Sequence, residues 1–328
     1  MSRRLYPAIA LAALFLLVCA LSLQTGSADL PFAELFSVLL GCSDNETANI
    51  LVFQIRLPRL VAAILVGASL ASAGLAMQTL FRNPLADPSI TGVSSGAALG
   101  AAIAICALPN FEVFIQLSSI CFGLLASFLI WHLGRINGRT STFSMLLAGI
   151  AVNAFCGAIV GFIMYSARDA GLKSFIFWTL GSLDSCTWAG IFAVAIVNIA
   201  AWLLLFFNAR ALNMLSLGMD AAFHSGANVE RLQIIAIATS AIMTAAAVSI
   251  CGIIGFVGLV VPHVMRMIFG CDNRLLLPLS ALAGAILLIF SDMVSRIVTP
   301  LDNVPIGVVT ALIGAPFFVY LLGRVKND

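Results

Sequence analysis

The sequence predicts an all-α polytopic membrane protein of about ten transmembrane helices, with both termini on the cytoplasmic side. Three observations predict it. Hydrophobic residues make up 62% of the chain and charged residues 9%, at a mean hydropathy of +1.11, a balance outside the range of soluble domains. Apolar runs near the about 20 residues that a spanning helix needs follow one another from end to end. The basic residues also fall unequally on the two sides that these runs define. No soluble domain fits between the runs, so 1–328 reads as a single transmembrane domain.

The spans are expected at 5–23, 57–81, 92–108, 111–133, 143–165, 188–207, 233–251, 253–269, 275–298 and 306–323. Arg3 and Arg4 ahead of the first run resemble the start of a signal peptide. The small-residue cleavage pattern is poor, however, so the run reads as a span. With an even number of spans, both ends share a side. A cytoplasmic N-terminus places Arg3, Arg4, Arg82, Arg135, Arg139, Arg210, Arg231, Arg266, Arg274, Arg324 and Lys326 inside, 11 of the 16 basic residues. Arg56, Arg59, Arg168, Lys173 and Arg296 stay outside, and the opposite topology would invert this bias.

Two outer connections are longer than turns. Residues 24–56 carry Asp29, Glu34, Asp44 and Glu46, and 166–187 hold an apolar piece at 175–183. That piece is too short to span and is expected at the interface or re-entering. The one sizeable inner loop, 208–232, reads as two short helices separated at Gly218 and ended at Gly226, since glycine commonly ends helices. It is too small to fold alone and too long for a passive connector, which favours docking of a soluble subunit.

Residues 56–102 are rich in Gly, Ala and Ser and almost free of bulky aromatics. In a membrane such residues let backbones approach closely, and the stretch suggests the lining of a pathway. It divides into an outer arginine pair, a packed helix at 57–81 and a double-proline turn, Asn83-Pro84-Leu85-Ala86-Asp87-Pro88. The helix would be roughly 37 Å long at 1.5 Å per residue, more than the about 30 Å hydrocarbon core, so the turn falls near the inner boundary. The prolines hold Asn83 and Asp87 extended. The turn reads as a gate, with a rigid structural turn as the alternative. Arg56 and Arg59, three apart at a helix start, share a face; interfacial snorkelling and docking of an outer partner are the two readings.

Asp292 is the one acid in the interior of an expected span and precedes Arg296 by four residues, which reads as an ion pair at the outer rim rather than a proton relay. The eight cysteines form no C-x-x-C pair and read as small buried hydrophobes; nothing in the spacing pairs Cys42 with Cys186. His132, His224 and His263 form no metal spacing, and no nucleotide-binding or catalytic motif is present. No enzyme activity, cofactor, metal site or nucleic-acid partner is expected. Uphill transport would need a partner ATPase or an ion gradient.

The chain resembles the FecCD-type permease family, the membrane subunits of ABC importers for iron-siderophores, haem and vitamin B12. The resemblance rests on RLPR at 56–59, the small run 67–74, MQTLFRNPLADPSITGVSSGAALGA at 77–101, LLAGIAVN at 146–153 and W-x-x-GSL at 178–183. It continues with LG-x-x-x-A-x-x-x-G at 217–226, GIIGFVGLVVPHVMR at 252–266 and VPIGVVTALIGAPFFVYLL at 304–322. It implies the type II importer architecture. Two permease subunits, identical or related, would surround a path, with two cytoplasmic ATPase subunits and a periplasmic or lipid-anchored binding protein. The resemblance assigns Arg56, Arg59 and Arg296 to docking of the binding protein. Leu217, Gly218, Asp220, Ala222, Phe223 and Gly226, within 210–231, would couple to the ATPase, and Asn83, Leu85 and Thr142 would form the cytoplasmic gate. Phe223-His224-Ser225 departs from the more polar sequence common in the family. The implied function is ATP-driven import of a metal chelate, ferric siderophore first, across the bacterial inner membrane. Release of cargo beside the second span and alternating access complete the expectation. Haem or cobalamin as cargo, and an ion-coupled secondary transporter, are the alternatives.

Overall fold

The computed structural model describes residues 2–26, 30–109, 111–136, 139–298 and 304–325. Asp29 and Lys326, and the side chains of Arg3, Arg4, Arg139 and Arg324, lie outside the described set. The helices are α1 (Ser2–Gln24), α2 (Phe32–Leu39), α3 (Glu46–Ile50), α4 (Leu57–Phe81), α5 (Val93–Ala107), α6 (Glu112–Leu133), α7 (Thr142–Ser166) and α8 (Asp169–Leu180). They continue as α9 (Trp188–Phe207), α10 (Ala209–Leu217), α11 (Met219–His224), α12 (Val229–Cys251), α13 (Val257–Phe269), α14 (Asn273–Val298) and α15 (Ile306–Val325). Two short strands, β1 (Arg135–Ile136) and β2 (Arg139–Thr140), pair antiparallel at the inner end of α6.

Each of the ten expected spans is occupied by a helix. Among the described residues seven helices are long and apolar enough to cross a membrane, and α5, α13 and α15 contribute shorter apolar stretches. At 15 and 13 residues, α5 and α13 reach only about 22 and 20 Å, less than the hydrocarbon core.

The small residues of α4 place it at the centre of the bundle. Every residue from Ser69 to Leu80 is buried, so the inner half of α4 is enclosed by protein, while Val61, Ile64, Leu65 and Ala68 nearer the outer end are half-buried. It packs antiparallel to α14. Arg59 meets Asp292 near one end, and Thr79 Oγ1 lies 3.3 Å from Asn273 Oδ1 at the other. Between them a Cβ added at Gly67 would overlap the carbonyl of Gly284, and the reverse holds. A Cβ added at Gly74 would likewise overlap the carbonyl of Gly258 in α13, while Gln78 Nε2 donates to the carbonyls of Gly258 (3.3 Å) and Leu259 (3.0 Å). Lipid removes the hydrophobic drive between helices, so backbone proximity and interhelical hydrogen bonds hold this centre.

Three expectations need correction. First, the chain ahead of α4 is not a loop. Helix runs continuously from Glu46 to Phe81, and Asn45 caps its start by accepting from the Ala48 N–H (3.2 Å). Pro58 lacks the N–H that would close an α-turn, and the preceding turn widens to a π-helical stretch at Leu51–Arg56. Arg56 and Arg59 therefore sit within a helix, not at its start. Second, the span expected from 253 begins at Val257. Residues 252–256 form an irregular descent, with Phe256 left-handed at φ 69°. Such backbone survives at membrane depth only against protein or a water-filled cavity. Here Gly252 lies against the Trp178 carbonyl, and Ser182 N donates to the Cys251 carbonyl (2.8 Å). Third, the cysteines are not uniformly buried: Cys156 and Cys251 are, whereas Cys42, Cys106, Cys121 and Cys271 are exposed. The piece at 175–183 lies partly in α8, which seats Phe175 on Ala101, Ala102 and Ile105 of α5.

The backbone contact between α4 and α14 yields a test. Gly67→Ala forces the two helices apart and should cost about 1–3 kcal/mol. Gly157→Ala, where an added Cβ meets nothing within 4 Å, should not lower stability and should raise it by up to about 1 kcal/mol. Denaturant unfolding in detergent micelles separates the two outcomes.

Candidate functional site

The candidate residues gather at the two ends of the α4–α14 pair. At the outer end Arg56 and Arg59 are only 4% and 8% exposed, and Asp292 is 1% exposed. Asp292 Oδ1 accepts from Arg59 Nε at 2.5 Å, and its Oδ2 pairs with Arg296 Nη2 at 2.9 Å. Arg59 also pairs with Asp184, whose side chain is 46% exposed. Arg56 Nη1 donates to the carbonyls of Leu23 (2.7 Å) and Gln24 (2.9 Å). Arg296 donates to Ser22 Oγ (2.8 Å) and to the Thr25 carbonyl (2.6 Å).

Two guanidiniums thus cap the C-terminal carbonyls of α1, where the helix dipole favours cations. The expected i,i+4 pair between Asp292 and Arg296 is present, and it forms part of a larger buried network. The three arginines do not project into solvent. They line a cleft of about 240 Å3 with Gln54, Asp184 and Cys186, and Arg59 Nη2 is buried without a hydrogen-bond partner among the described residues. Burial pushes the Cys186 thiol up to about 12, so it stays protonated at neutral pH.

Beside this cleft, and sharing Asp184 with it, lies a cavity of about 670 Å3 between α5, α6, α8 and the end of α12. Its lining mixes Glu112 and Lys173 with Gln116, serine hydroxyls and the rings of Phe177 and Trp178. Sequence reasoning missed it, because the segments that enclose it are far apart in the chain.

At the inner end the two short helices fall where the glycines placed them. Gly218 (φ 125°) separates α10 from α11, and Gly226 (φ 82°) follows α11. Leu212, Leu215 and Ala222 anchor the segment in the core, while Leu217, Asp220 and Phe223 are exposed. Asn213 of α10 donates from Nδ2 to Asp272 Oδ1 (2.8 Å) and accepts from the Asn273 N–H (2.8 Å). Hydrogen bonds from Arg274 and Asn213 lower the Asp272 carboxyl to about 2, so it is ionised at neutral pH.

The double-proline turn adjoins this segment. Asn83 Oδ1 accepts from the Leu85 N–H (2.9 Å), and Asp87 is extended at φ −119°, ψ 149°, accepting from the Ser89 N–H (2.9 Å). Arg82, left-handed at φ 51°, carries its guanidinium beside Gly218. Asn83 and Leu85 are exposed. Thr142 begins α7 behind its cap Ser141, and no described hydrogen bond joins it to Asn83 or Leu85.

The sequence signature of the FecCD transport family matches residues 14–324. The chain belongs to the FecCD transport family. Membership makes it the membrane permease component of an ABC importer, a transport subunit. Its relatives include the hemin transport system permease protein HmuU of Yersinia pestis, 39% identical over 100% of this chain and 99% of that protein. The cobalamin import system permease protein BtuC of Halobacterium salinarum is 43% identical over 84% of this chain and 74% of its own length. The iron(3+)-hydroxamate import permease FhuB of Bacillus subtilis is 36% identical over 94% and 80%. A chain solved in an inward-facing conformation, from a transporter assigned to the metal-chelate ABC type, superposes with a TM-score of 0.87. It is 30% identical, covering 97% of this chain and 99% of that one.

The outer network carries its own test. Asp292→Ala leaves Arg59 and Arg296 buried without their shared carboxylate and should cost about 3–5 kcal/mol. Adding Arg59→Met should recover part of that loss. Unfolding midpoints of the single and double variants measure both effects; an Asp292→Ala protein as stable as its parent contradicts the network.

Proposed function

We propose that the chain is the permease subunit of a bacterial inner-membrane ABC importer for a metal chelate, a ferric siderophore first among them. The whole of 1–328 works as one permease domain. A second permease subunit, identical or related, completes the path. Two cytoplasmic ATPase subunits supply the energy, and a periplasmic or lipid-anchored binding protein delivers the cargo. The observation that carries this reading is the shared chemistry of the cargoes named for the relatives. Cobalamin, hemin and iron(3+)-hydroxamate each hold a metal inside a large organic ligand. The cavity beside the arginine cleft supports the ferric siderophore over a flat apolar macrocycle. Its hydroxyls, amide and charges of both signs suit a ligand rich in hydrogen-bonding groups.

In this mechanism the binding protein presents carboxylates to Arg56, Arg59 and Arg296. The half-exposed Asp184 is the partner that an incoming carboxylate displaces from Arg59, so docking replaces one ion pair with another. Cargo passes into the outer cavity and then to the path between permease subunits. ATP binding and hydrolysis move Leu217, Gly218, Asp220, Ala222, Phe223 and Gly226, seated in a cleft of the ATPase. The turn at Asn83 and Leu85, with Thr142 at the start of α7, opens and closes the inner side.

Two measurements test this reading. Phe223→Asp puts a charge on the exposed rim of α11 without disturbing the core. The variant should fold normally yet lose at least about tenfold in co-purified ATPase, equivalent to about 1.4 kcal/mol of contact; full retention of the ATPase contradicts the coupling role. Proteoliposomes holding the permease, its ATPase and its binding protein should take up radiolabelled ferric hydroxamate only with ATP. Uptake of hemin or cobalamin in its place overturns the substrate and leaves the permease reading intact. Uptake by the chain alone, driven by an ion gradient, overturns both.

A further inference from the structure

We infer that Asn213 and Asp272 form the clamp through which the coupling segment moves α14, and that α14 carries this movement as a lever to the outer arginine cleft. The inference deepens the proposed importer function and rests on it. The clamp is a side chain of α10 inserted into the cap of another helix. Asp272 is the N-terminal cap of α14: its Oδ1 accepts from the Arg274 N–H (3.1 Å), and its carbonyl accepts from the N–H groups of Leu275 (3.0 Å) and Leu276 (2.9 Å). Asn213 donates to that same Oδ1 and accepts from the Asn273 N–H, both at 2.8 Å. One of these bonds ends on an ionised carboxylate and is correspondingly strong. Displacement of α10 therefore pulls on the first turn of α14 at two points.

Beyond the clamp α14 runs as one helix to Val298, with Pro278 in its second turn removing a single i→i−4 bond, and it is pressed against α4 at Gly284 and Gly67, backbone to backbone. That contact is the natural fulcrum, because nothing there can compress. Gly284 lies eleven residues past Asn273 and eight before Asp292, which gives arms of roughly 16 and 12 Å. The outer arm ends on the carboxylate that holds Arg59 and Arg296. Tilting α14 re-aims that carboxylate and changes the cleft that a docking partner meets. Two other helices join the coupling segment directly, α9 ahead of α10 and α12 after α11. The outer end of α12 at Cys251 accepts from the Ser182 N–H and makes no described bond to the three arginines. Among the described bonds α9 meets them only through Asp184, in the connection that precedes it.

Linkage makes the coupling between the two binding events reciprocal: docking changes nucleotide affinity by the same factor as nucleotide changes docking. The experiment uses the complex purified with its cognate ATPase and saturating cargo-loaded binding protein. Asn213→Asp sets two carboxylates face to face, and Asn213→Ala removes both side-chain bonds without adding charge. Each should leave basal ATPase and co-purification intact. The nucleotide dependence of binding-protein affinity should fall about fivefold or more, at the lower end of usual allosteric couplings, and stimulation of ATP hydrolysis by the binding protein should fall with it. The swapped pair Asn213→Asp with Asp272→Asn restores one acceptor facing one donor, keeps a good cap, and should restore stimulation. Normal stimulation in Asn213→Ala, or a swap that assembles without recovering it, overturns the clamp. Absence of stimulation in the parent complex overturns instead the importer function beneath it.

Discussion

A single carboxylate orders the outer half of this bundle. Asp292 is buried to 1% on α14, and a lone ionised group there would be costly in a low-dielectric interior. It is compensated by Arg59 from α4 and Arg296 from its own helix. Those cations bring further order with them. Arg296, with Arg56, closes the last carbonyls of α1, fixing a helix that otherwise has few buried residues. Arg59 reaches Asp184 in the connection between α8 and α9. Four segments distant in sequence are thereby tied at one point, and the same point forms the wall of a cleft.

The constraint below that point is steric. Glycine contacts bring α4 to van der Waals distance from α14 and α13, which leaves no room for a conduit between these helices. Small residues in a membrane protein serve close packing as readily as a pathway, and here they serve packing. Openness lies elsewhere, in the outer cavity under α8 and at the irregular 252–256 segment, where Gly255 is exposed and an added Cβ would meet nothing. A rigid α4 also gives its neighbours something to move against.

Much of this was legible in the sequence because membrane helices announce themselves by length and hydropathy. The boundaries of α10 and α11 at Gly218 and Gly226 were legible as well, since both glycines take positive φ. Asp292 and Arg296 could be paired from their spacing alone. The partnership of Asp292 with Arg59 could not, because 233 residues separate them and nothing local encodes the antiparallel meeting of α4 and α14. The helix at 46–56 was hidden by its polar start, where Asn45 and Glu46 look like loop residues but act as a cap and a first helical turn. The break at 252–256 was hidden by the reverse effect: an apolar run reads as a span whether or not its backbone is helical.

In the mechanism we propose, this permease is a two-ended device, with an arginine cleft outside, a helical segment for ATPase coupling inside, and α14 between them pivoting on α4. The most direct test is a distance. Spin labels at Ile297 on the outer end of α14 and Val113 on the outer end of α6, both exposed, would be placed in a chain whose exposed native cysteines are replaced by serine. Pulsed dipolar measurements would then compare nucleotide-free and ATP-trapped complexes. The account predicts a shift of about an ångström or more between the two states, in the range of helix displacements that carry allosteric change. An unchanged distance, in a complex that still hydrolyses ATP in response to its binding protein, would contradict it.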